Sequence, residues 1–236
     1  MNANQLSKRL AAAARFVPND ARLADIGSDH AYLPVYLVKE GIIDYAIAGE
    51  VVEGPYQSAI TEISEQKLTT NIEARLGDGL EVVQPEDQID VVTICGMGGK
   101  LIAEILARGL NNQHFNQFPL LVLQPNVWEP GLRKWLLNHQ YDIVAETVVA
   151  EHHKYYEIIV AKPTETPSSW TEDELLFGRF SKRTAPEDFK EKWQHVYEQY
   201  GQILSHFKET NNQESLAKKA EMINYRNKIK HCLEAE

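Results

Sequence analysis

Four short stretches hold most of the residues equipped for chemistry, and each follows a short strand-like run. The first is Asp25-Ile26-Gly27-Ser28-Asp29-His30, where Gly27 permits a tight turn and a close approach of backbone to a ligand. A helix starting just beyond it would aim its amide dipole at that ligand. The stretch is not the G-x-G-x-x-G of dinucleotide enzymes, because Asp29 and Tyr32 stand at the second and third glycine positions. A carboxylate there repels a pyrophosphate and tolerates cationic groups, which disfavours NAD and favours a sulfonium amino acid. In the second stretch, Glu50 lies at roughly the 20-residue offset where an acid accepts hydrogen bonds from both ribose hydroxyls. A surface acid at a strand end is the alternative. In the third, Gly77-Asp78-Gly79, an acid sits in a tight turn, suited to the exocyclic amine of adenine or simply to the turn itself. The fourth, Cys95-Gly96-Met97-Gly98-Gly99, leaves carbonyls and amides bare beside a ligand.

These stretches need a scaffold that brings them to one end. The pattern predicts a helix over about 4–16, then strands near 22–26, 45–51, 72–76, 89–95, 119–124, 142–150 and 155–162. The first five are short and apolar on both faces and are separated mostly by helices, as in a parallel sheet covered on both sides. The last two, with only Glu151 to Lys154 between them, read as an antiparallel hairpin. Ligands of open α/β sheets sit outside the carboxyl ends of the strands, where all four stretches fall.

Beyond residue 162 the texture changes. Pro163 to Ser169 suits a linker, and Thr171 with Glu174 forms a capping box that opens a helix. Phe189, Trp193, Val196, Tyr200, Ile203 and Phe207 then step by fours and threes, a helix-packing seam. Leu216, Ala220, Met222, Ile223, Ile229 and Leu233 supply a partner after the turn around residues 211–213, giving an antiparallel helical hairpin. A dimerising coiled coil meets the same pattern. We therefore divide the chain into a first domain (1–162), a linker (163–169) and a helical domain (170–236). Few core contacts are expected to cross that boundary, so truncation after Lys162 should leave a folded domain.

Composition narrows the classes. The 236 residues carry 24 basic and 34 acidic side chains, a net charge of -10, which excludes a wholesale basic coat. With 43% hydrophobic and 25% charged residues the chain can bury a core. No apolar run approaches the ~18 residues of a membrane span, and the N-terminus has no apolar signal core, so a cytoplasmic protein is expected. Cys95 and Cys232 are far apart without metal-ligand spacing, so neither a disulfide nor a zinc site is expected, and both read as reduced thiols.

The stretches D-I-G-S-D-H-A-Y-L-P, A-G-E-V-V-E-G-P-Y, G-D-G-L, G-M-G-G and L-Q-P-N, taken in order, resemble the bacterial tRNA (adenine-N1)-methyltransferases that modify adenine 22 in the D arm, the TrmK family. The resemblance covers nearly all of residues 4–162, and the helical tail fits while being nonspecific. It implies a class I S-adenosylmethionine-dependent methyltransferase fold, a Rossmann-like seven-stranded sheet with a terminal antiparallel hairpin, plus a C-terminal helical domain that helps hold tRNA. Cys95 departs mildly from the small residue expected there. The cofactor-binding set is then Asp25, Gly27, Ser28, His30, Glu50, Val51, Asp78, Gly79, Gly96 and Met97.

Adenine N1 keeps its lone pair at neutral pH, so methyl transfer there needs alignment and desolvation more than a strong base. Charge then appears on the ring, and a carboxylate or carbonyl near N6 would stabilise it. Asp29 is the first candidate, with a helix cap or a partner for the cofactor's ammonium as the alternative. Asn126, at the end of strand five, offers a donor and an acceptor to an adenine edge, or serves the turn. Tyr155 and Glu157 share one face of strand seven; Glu157 is taken as a third catalytic candidate, and Tyr155 as a stacking surface or core residue. His152 and His153 read as solvated turn residues, and Cys95 as a packed thiol. Phosphate contacts require local basic surface, offered by Lys8, Arg9 and Arg15 on the first helix and by Lys182 and Arg183 in the tail. Lys218, Lys219, Arg226, Lys228 and Lys230 are weaker candidates. Two other readings compete: a nicotinamide-dependent oxidoreductase, disfavoured by Asp29 and the missing glycines, and a noncatalytic adaptor, disfavoured by Asp25, Gly27, Glu50 and Asp78 together. The oligomeric state is open.

Overall fold

The computed structural model describes residues 5–110, 113–207 and 212–235. In chain order these form α1 (Lys8–Ala14), β1 (Arg22–Ile26), α2 (Tyr32–Lys39), β2 (Tyr45–Glu50), α3 (Glu53–Glu65) and β3 (Ile72–Leu76). Then come β4 (Val91–Met97), α4 (Gly99–Gly109), β5 (Leu120–Pro125), α5 (Glu129–Asn138), β6 (Tyr141–Glu151) and β7 (Lys154–Pro163). The tail comprises α6 (Glu172–Phe177), α7 (Ser181–Thr184), α8 (Pro186–Ser205) and α9 (Gln213–Glu234). The seven expected strands are present within two residues at each end. Helix α1 is shorter than expected because Ser7 caps it, its Oγ accepting from the Leu10 N–H at 3.2 Å. The expected start at residue 4, and Asn211 in the tail turn, lie outside the described residues. No helix among the described residues is long and apolar enough to cross a membrane.

The strand order is β3-β2-β1-β4-β5-β7-β6, parallel from β3 to β5, with β7 antiparallel to both β5 and β6. Side chains alternate between two cores, as the two-residue period of a strand demands. Ala24, Val92, Leu121, Leu123, Ile159 and Ala161 pack under α4 and α5. Leu23, Val91, Val122, Ile158 and Val160 pack under α1, α2 and α3. The chain crosses between helix layers at β1, so the carboxyl ends of β1 and β4 border a crevice open to ligand.

The tail is a helical hairpin, with α8 against α9 and Tyr200 packed on Tyr225 at a 4.9 Å centroid distance. The expectation that it stands apart from the sheet is overturned. Phe177, Phe189, Trp193 and Ile229 bury themselves with Val148 of β6, so the first half of the seam packs on the β-hairpin as well as on α9. Residues 163–169 are not a loose tether, since β7 runs through Pro163 and Ser168 donates to Asp142 by both its N–H and its hydroxyl. Charge deepens the junction. Arg133 of α5, fully buried, donates to Glu146 at 2.6 Å and to Glu157, and its Nη1 reaches the Leu175 carbonyl. Lys192 of α8 also donates to Glu157, and the Arg179 and Phe180 N–H groups donate to Glu146.

Candidate functional site

The crevice is built from strand ends. Gly27, at the end of β1, has φ +69°, and the next residues include three more in the left-handed region, Asp29, His30 and Ala31. Such a run is unfavourable for non-glycine residues and clusters at ligand sites. It turns the chain sharply enough for α2 to begin at Tyr32 and for the Asp29 N–H to donate to Glu50 Oε1 at 2.6 Å. Glu50 is thereby fixed at the end of β2, 7% exposed, and burial raises its pKa above the usual carboxylate value. Opposite stands the β4 loop, with Met97 reaching so close over Gly27 that a Cβ there would meet Met97 Cε at 2.2 Å.

A cavity of about 320 Å³ lies between these loops, lined among others by Asp25, Gly27, Ser28, Asp29, Glu50, Gly96 and Met97. A second of about 130 Å³ shares Gly27, Glu50 and Met97 with it and adds Val51, Asp78 and Gly79. The two form one cleft with Glu50 at its waist. Asp25 accepts from Ser28 Oγ at 2.6 Å and from Thr93 Oγ1 at 2.5 Å. Burial pushes its pKa up to about 6, and the two hydroxyls pull against that rise. At the far end, Asp78 is half exposed and pairs with Arg108 at 3.1 Å.

One residue changes place relative to expectation. Arg9 does not face outward on α1 but lines the larger cavity. Its Nη1 donates to Gln124 Oε1 at 2.7 Å, and its guanidinium lies 5.6 Å from the Tyr156 ring centroid. No carboxylate forms an ion pair with it among the described residues, although Asp25 is near enough to feel its charge. Helix α1 is held there by Glu151 at the end of β6, which accepts from the Lys8 N–H at 2.7 Å and the Arg9 N–H at 3.4 Å. From sequence Gln124 enters only as an amide beside Asn126 in L-Q-P-N, with no role in the site. It is a fully buried amide ending the apolar run Leu-Leu-Val-Leu, and it accepts from the Gly96 N–H while donating to Asn126 Oδ1. A polar residue closing an apolar strand was the available signal. Asn126 in turn donates to the Gly96 carbonyl at 2.7 Å, which leaves one N–H and one lone pair of its amide for a ligand.

Other candidates lie elsewhere. Glu157 is not at the cleft: its carboxylate faces α5 and α8, where burial would raise its pKa but Arg133 and Lys192 outweigh burial and hold it low. Tyr155, on the same face, donates to Glu191 and packs with His195 of the tail. The His30 ring stacks on Tyr32 at 5.1 Å and borders a shallow depression with Gln57 and Ser58, because its left-handed backbone turns it out of the cleft. Lys182 closes the carboxyl end of α9, donating to the Cys232 and Ala235 carbonyls, so it is not a free basic side chain. Arg183 is exposed, 5.9 Å from the Phe180 ring. Lys8 and Arg15 flank a separate groove of about 530 Å³ between α1, β6 and the start of α8. His152 and His153 occupy the hairpin turn, and burial pushes the Cys95 thiol up to about 12.

Against known proteins, residues 23–230 match the model of the family TrmK, tRNA (adenine(22)-N(1))-methyltransferase. The tRNA (adenine(22)-N(1))-methyltransferase of Bacillus subtilis is 37% identical over 94% of this chain and 97% of its own. A Streptococcus pneumoniae protein solved in complex with S-adenosyl-L-methionine is 40% identical, covers 97% of this chain and 100% of its own, and superposes with a TM-score of 0.86. Mycoplasma capricolum TrmK, solved with S-adenosyl-homocysteine, is 28% identical over 97% and 98% of the two chains, with a TM-score of 0.79. A family model that spans the sheet, the cleft and most of the tail at once leaves one assignment: the chain belongs to the TrmK family.

Proposed function

We propose that this protein transfers a methyl group from S-adenosyl-L-methionine to N1 of adenine 22 in tRNA. The observation that carries the reading is the cleft's charge pattern in a chain of this family. Glu50 sits at the waist, Asp25 lies deep, and the Arg9 guanidinium lines the same wall without a carboxylate ion pair. That set fits the cofactor. Glu50 would accept from the two ribose hydroxyls, Asp25 would face the ammonium, and Arg9 would face the carboxylate. The smaller cavity, with Val51, Asp78 and Gly79, would take the adenine ring. Arg9 is thus assigned to the cofactor's amino-acid end rather than to RNA. When bound, S-adenosyl-L-methionine supplies an electrophilic methyl on a sulfonium.

The chain's own residues align the acceptor. A base entering the cleft would meet the Gly96 to Gly99 loop, and Gln124 with Asn126 fixes that loop by hydrogen bonds at both faces of Gly96. Asn126 is therefore a positioning residue with one donor and one acceptor left for the base. Asp29 lies at the rim with its carboxylate 72% exposed and 3.9 Å from His30 Nε2, and is the candidate to approach the N6 amino group and receive its proton. Lys8, Arg15 and Arg183 supply phosphate contacts on the α1 and α7 side of the molecule. A tRNA substrate supports a cytoplasmic location.

Incubation with unmodified tRNA and the cofactor, followed by mass mapping of nucleosides, tests the function: one N1-methyladenosine at position 22 is expected, and no methylation there rejects it. Cofactor affinity should also fall as pH drops below about 6. Asp25 meets an ammonium only as the carboxylate, and its raised pKa places protonation in that window. Glu50 and Arg9 face the same cavity, so the control is Asp25→Asn, which should flatten the profile between pH 5 and 7, where an α-amino group stays protonated. The sign for stability is opposite. A carboxyl whose folded pKa exceeds its unfolded value stabilises the fold increasingly as pH falls through about 6. Calorimetric titration showing equal affinity at pH 5 and 7 would remove Asp25 from the ammonium site.

A further inference from the structure

Between β5 and α5 the chain presents two apolar residues to solvent beside the Gly96 to Gly99 loop. Val127 is 62% exposed and Trp128 45%. Of the four tryptophans, Trp135, Trp170 and Trp193 each contact another ring, while Trp128 has no ring or cation contact among the described residues. Its surroundings hold it in place nonetheless. Trp128 adopts the left-handed conformation, φ 68° and ψ 31°, which is unfavourable for a bulky residue. Its indole lies on the first turn of α5 against Gly131, where a Cβ would sit 2.0 Å from the ring. A glycine inside a helix costs about 0.5–1 kcal/mol relative to alanine. Two unfavourable local choices therefore keep an indole flat, rigid and open on its outer side.

The position explains the choices. The Asn126 N–H donates to the Met97 carbonyl at 2.7 Å, and the Gly99 N–H donates to the Val127 carbonyl at 2.9 Å. A Cβ on Gly99 would come within 3.1 Å of the Trp128 carbonyl, so the two loops are in contact along their length. Gly96 and Met97 line the cleft, and Trp128 stands just outside it. An adenine drawn into the cleft loses its stacking partner, and the neighbouring base is left exposed at the rim. We propose that Trp128 is a positioning residue whose outer indole face stacks the nucleobase adjoining the target adenine, with Val127 extending the apolar ledge. The proposal rests on the tRNA methyltransferase reading and adds a contact with the substrate outside the methyl-transfer pocket.

Aromatic platforms of this kind are sequence-tolerant, because every base has a π face. The effect should therefore appear in RNA affinity and not in cofactor affinity. In steady-state assays on unmodified tRNA, Trp128→Ala should raise KM for tRNA roughly tenfold or more. Turnover should stay within about threefold and the cofactor dissociation constant unchanged. Trp128→Phe should restore most of the loss, and Trp128→Leu, which keeps bulk without a π face, should not. With 2-aminopurine beside the target adenine, fluorescence on binding should be lower with the wild type than with the alanine variant. A KM within twofold of wild type for the alanine variant overturns the proposal, as does rescue by leucine equal to that by phenylalanine. Melting curves on all three variants identify a folding defect, in which case the phenylalanine and leucine pair decides. Methylation by the wild type, measured in the same assays, reports on the underlying reading separately from the platform.

Discussion

Glu157→Ala should lower the unfolding free energy by about 3–5 kcal/mol, the range for removing one partner of a buried ion pair. The reason is what stays behind. Arg133 is fully buried and Lys192 nearly so, and without Glu157 they become two buried cations sharing Glu146 and the more distant Glu129, 3.7 Å from Lys192. A typical domain is stable by only about 5–15 kcal/mol, so such a loss takes a large share. Urea denaturation followed by tryptophan fluorescence measures it, and a change below about 1 kcal/mol would mean that the cluster relaxes into water. The pH dependence has a definite sign. A carboxylate held below its unfolded pKa contributes stability that is present above that value and disappears as pH falls through the folded one. The wild type should therefore lose more stability than the variant on acidification below about pH 4.5. The same cluster argues against cutting the chain after Lys162, which would strip Val148, Arg133 and Glu157 of the side chains that cover them.

Arg9→Met should weaken S-adenosyl-L-methionine by roughly ten- to a hundredfold, the scale of hydrogen bonds to a charged group at about 1.5–3 kcal/mol. Methionine keeps most of the aliphatic stem and leaves Gln124 bonded to the Gly96 N–H, so the wall of the cavity should persist. The discriminating ligand is 5′-methylthioadenosine, which has the nucleoside and lacks the amino-acid end. It should bind wild type and variant alike, while S-adenosyl-L-homocysteine should follow the cofactor. Isothermal titrations with the three ligands separate the outcomes. An unchanged cofactor affinity with a raised KM for tRNA would return Arg9 to the RNA surface.

Much of this architecture was legible because it rests on local pattern. The apolar runs ending in Asp25, Glu50 and Cys95 are strands because both faces are buried, and the acid or glycine closing each run marks the ligand end. The capping box at Thr171 and Glu174 formed as written. What escaped depended on distant partners. Arg133 on an amphipathic helix reads as a surface residue, and only the arrival of Glu146 and Glu157 from the hairpin and of α6 and α8 from the tail makes its burial tolerable. Glu157 misled for the same reason. Period two correctly placed it with Tyr155, but nothing local shows that the tail covers that face. Arg9 looked like part of a basic edge with Lys8 and Arg15 because helical spacing does not reveal that Gln124 and Tyr156 lie on the inner side.

The latch between Glu151 and the start of α1 ties a wall of the cofactor cleft to a contact spanning 143 residues of sequence. On a ribosome adding about 5–20 residues per second, the segment bearing Arg9 would emerge roughly 7–30 s before its anchor exists. In the interval α1 has only its packing on the β1 to β5 core and the Arg9 bond to Gln124 to hold it, without the β6 latch. On the proposed role of Arg9, full competence to hold the cofactor's amino-acid end would be a late event of biosynthesis, reached when the hairpin has formed and Glu151 fastens the start of α1. A chain halted before residue 151 would lack the latch on the proposed carboxylate site, and its hold on the methyl donor would be weaker.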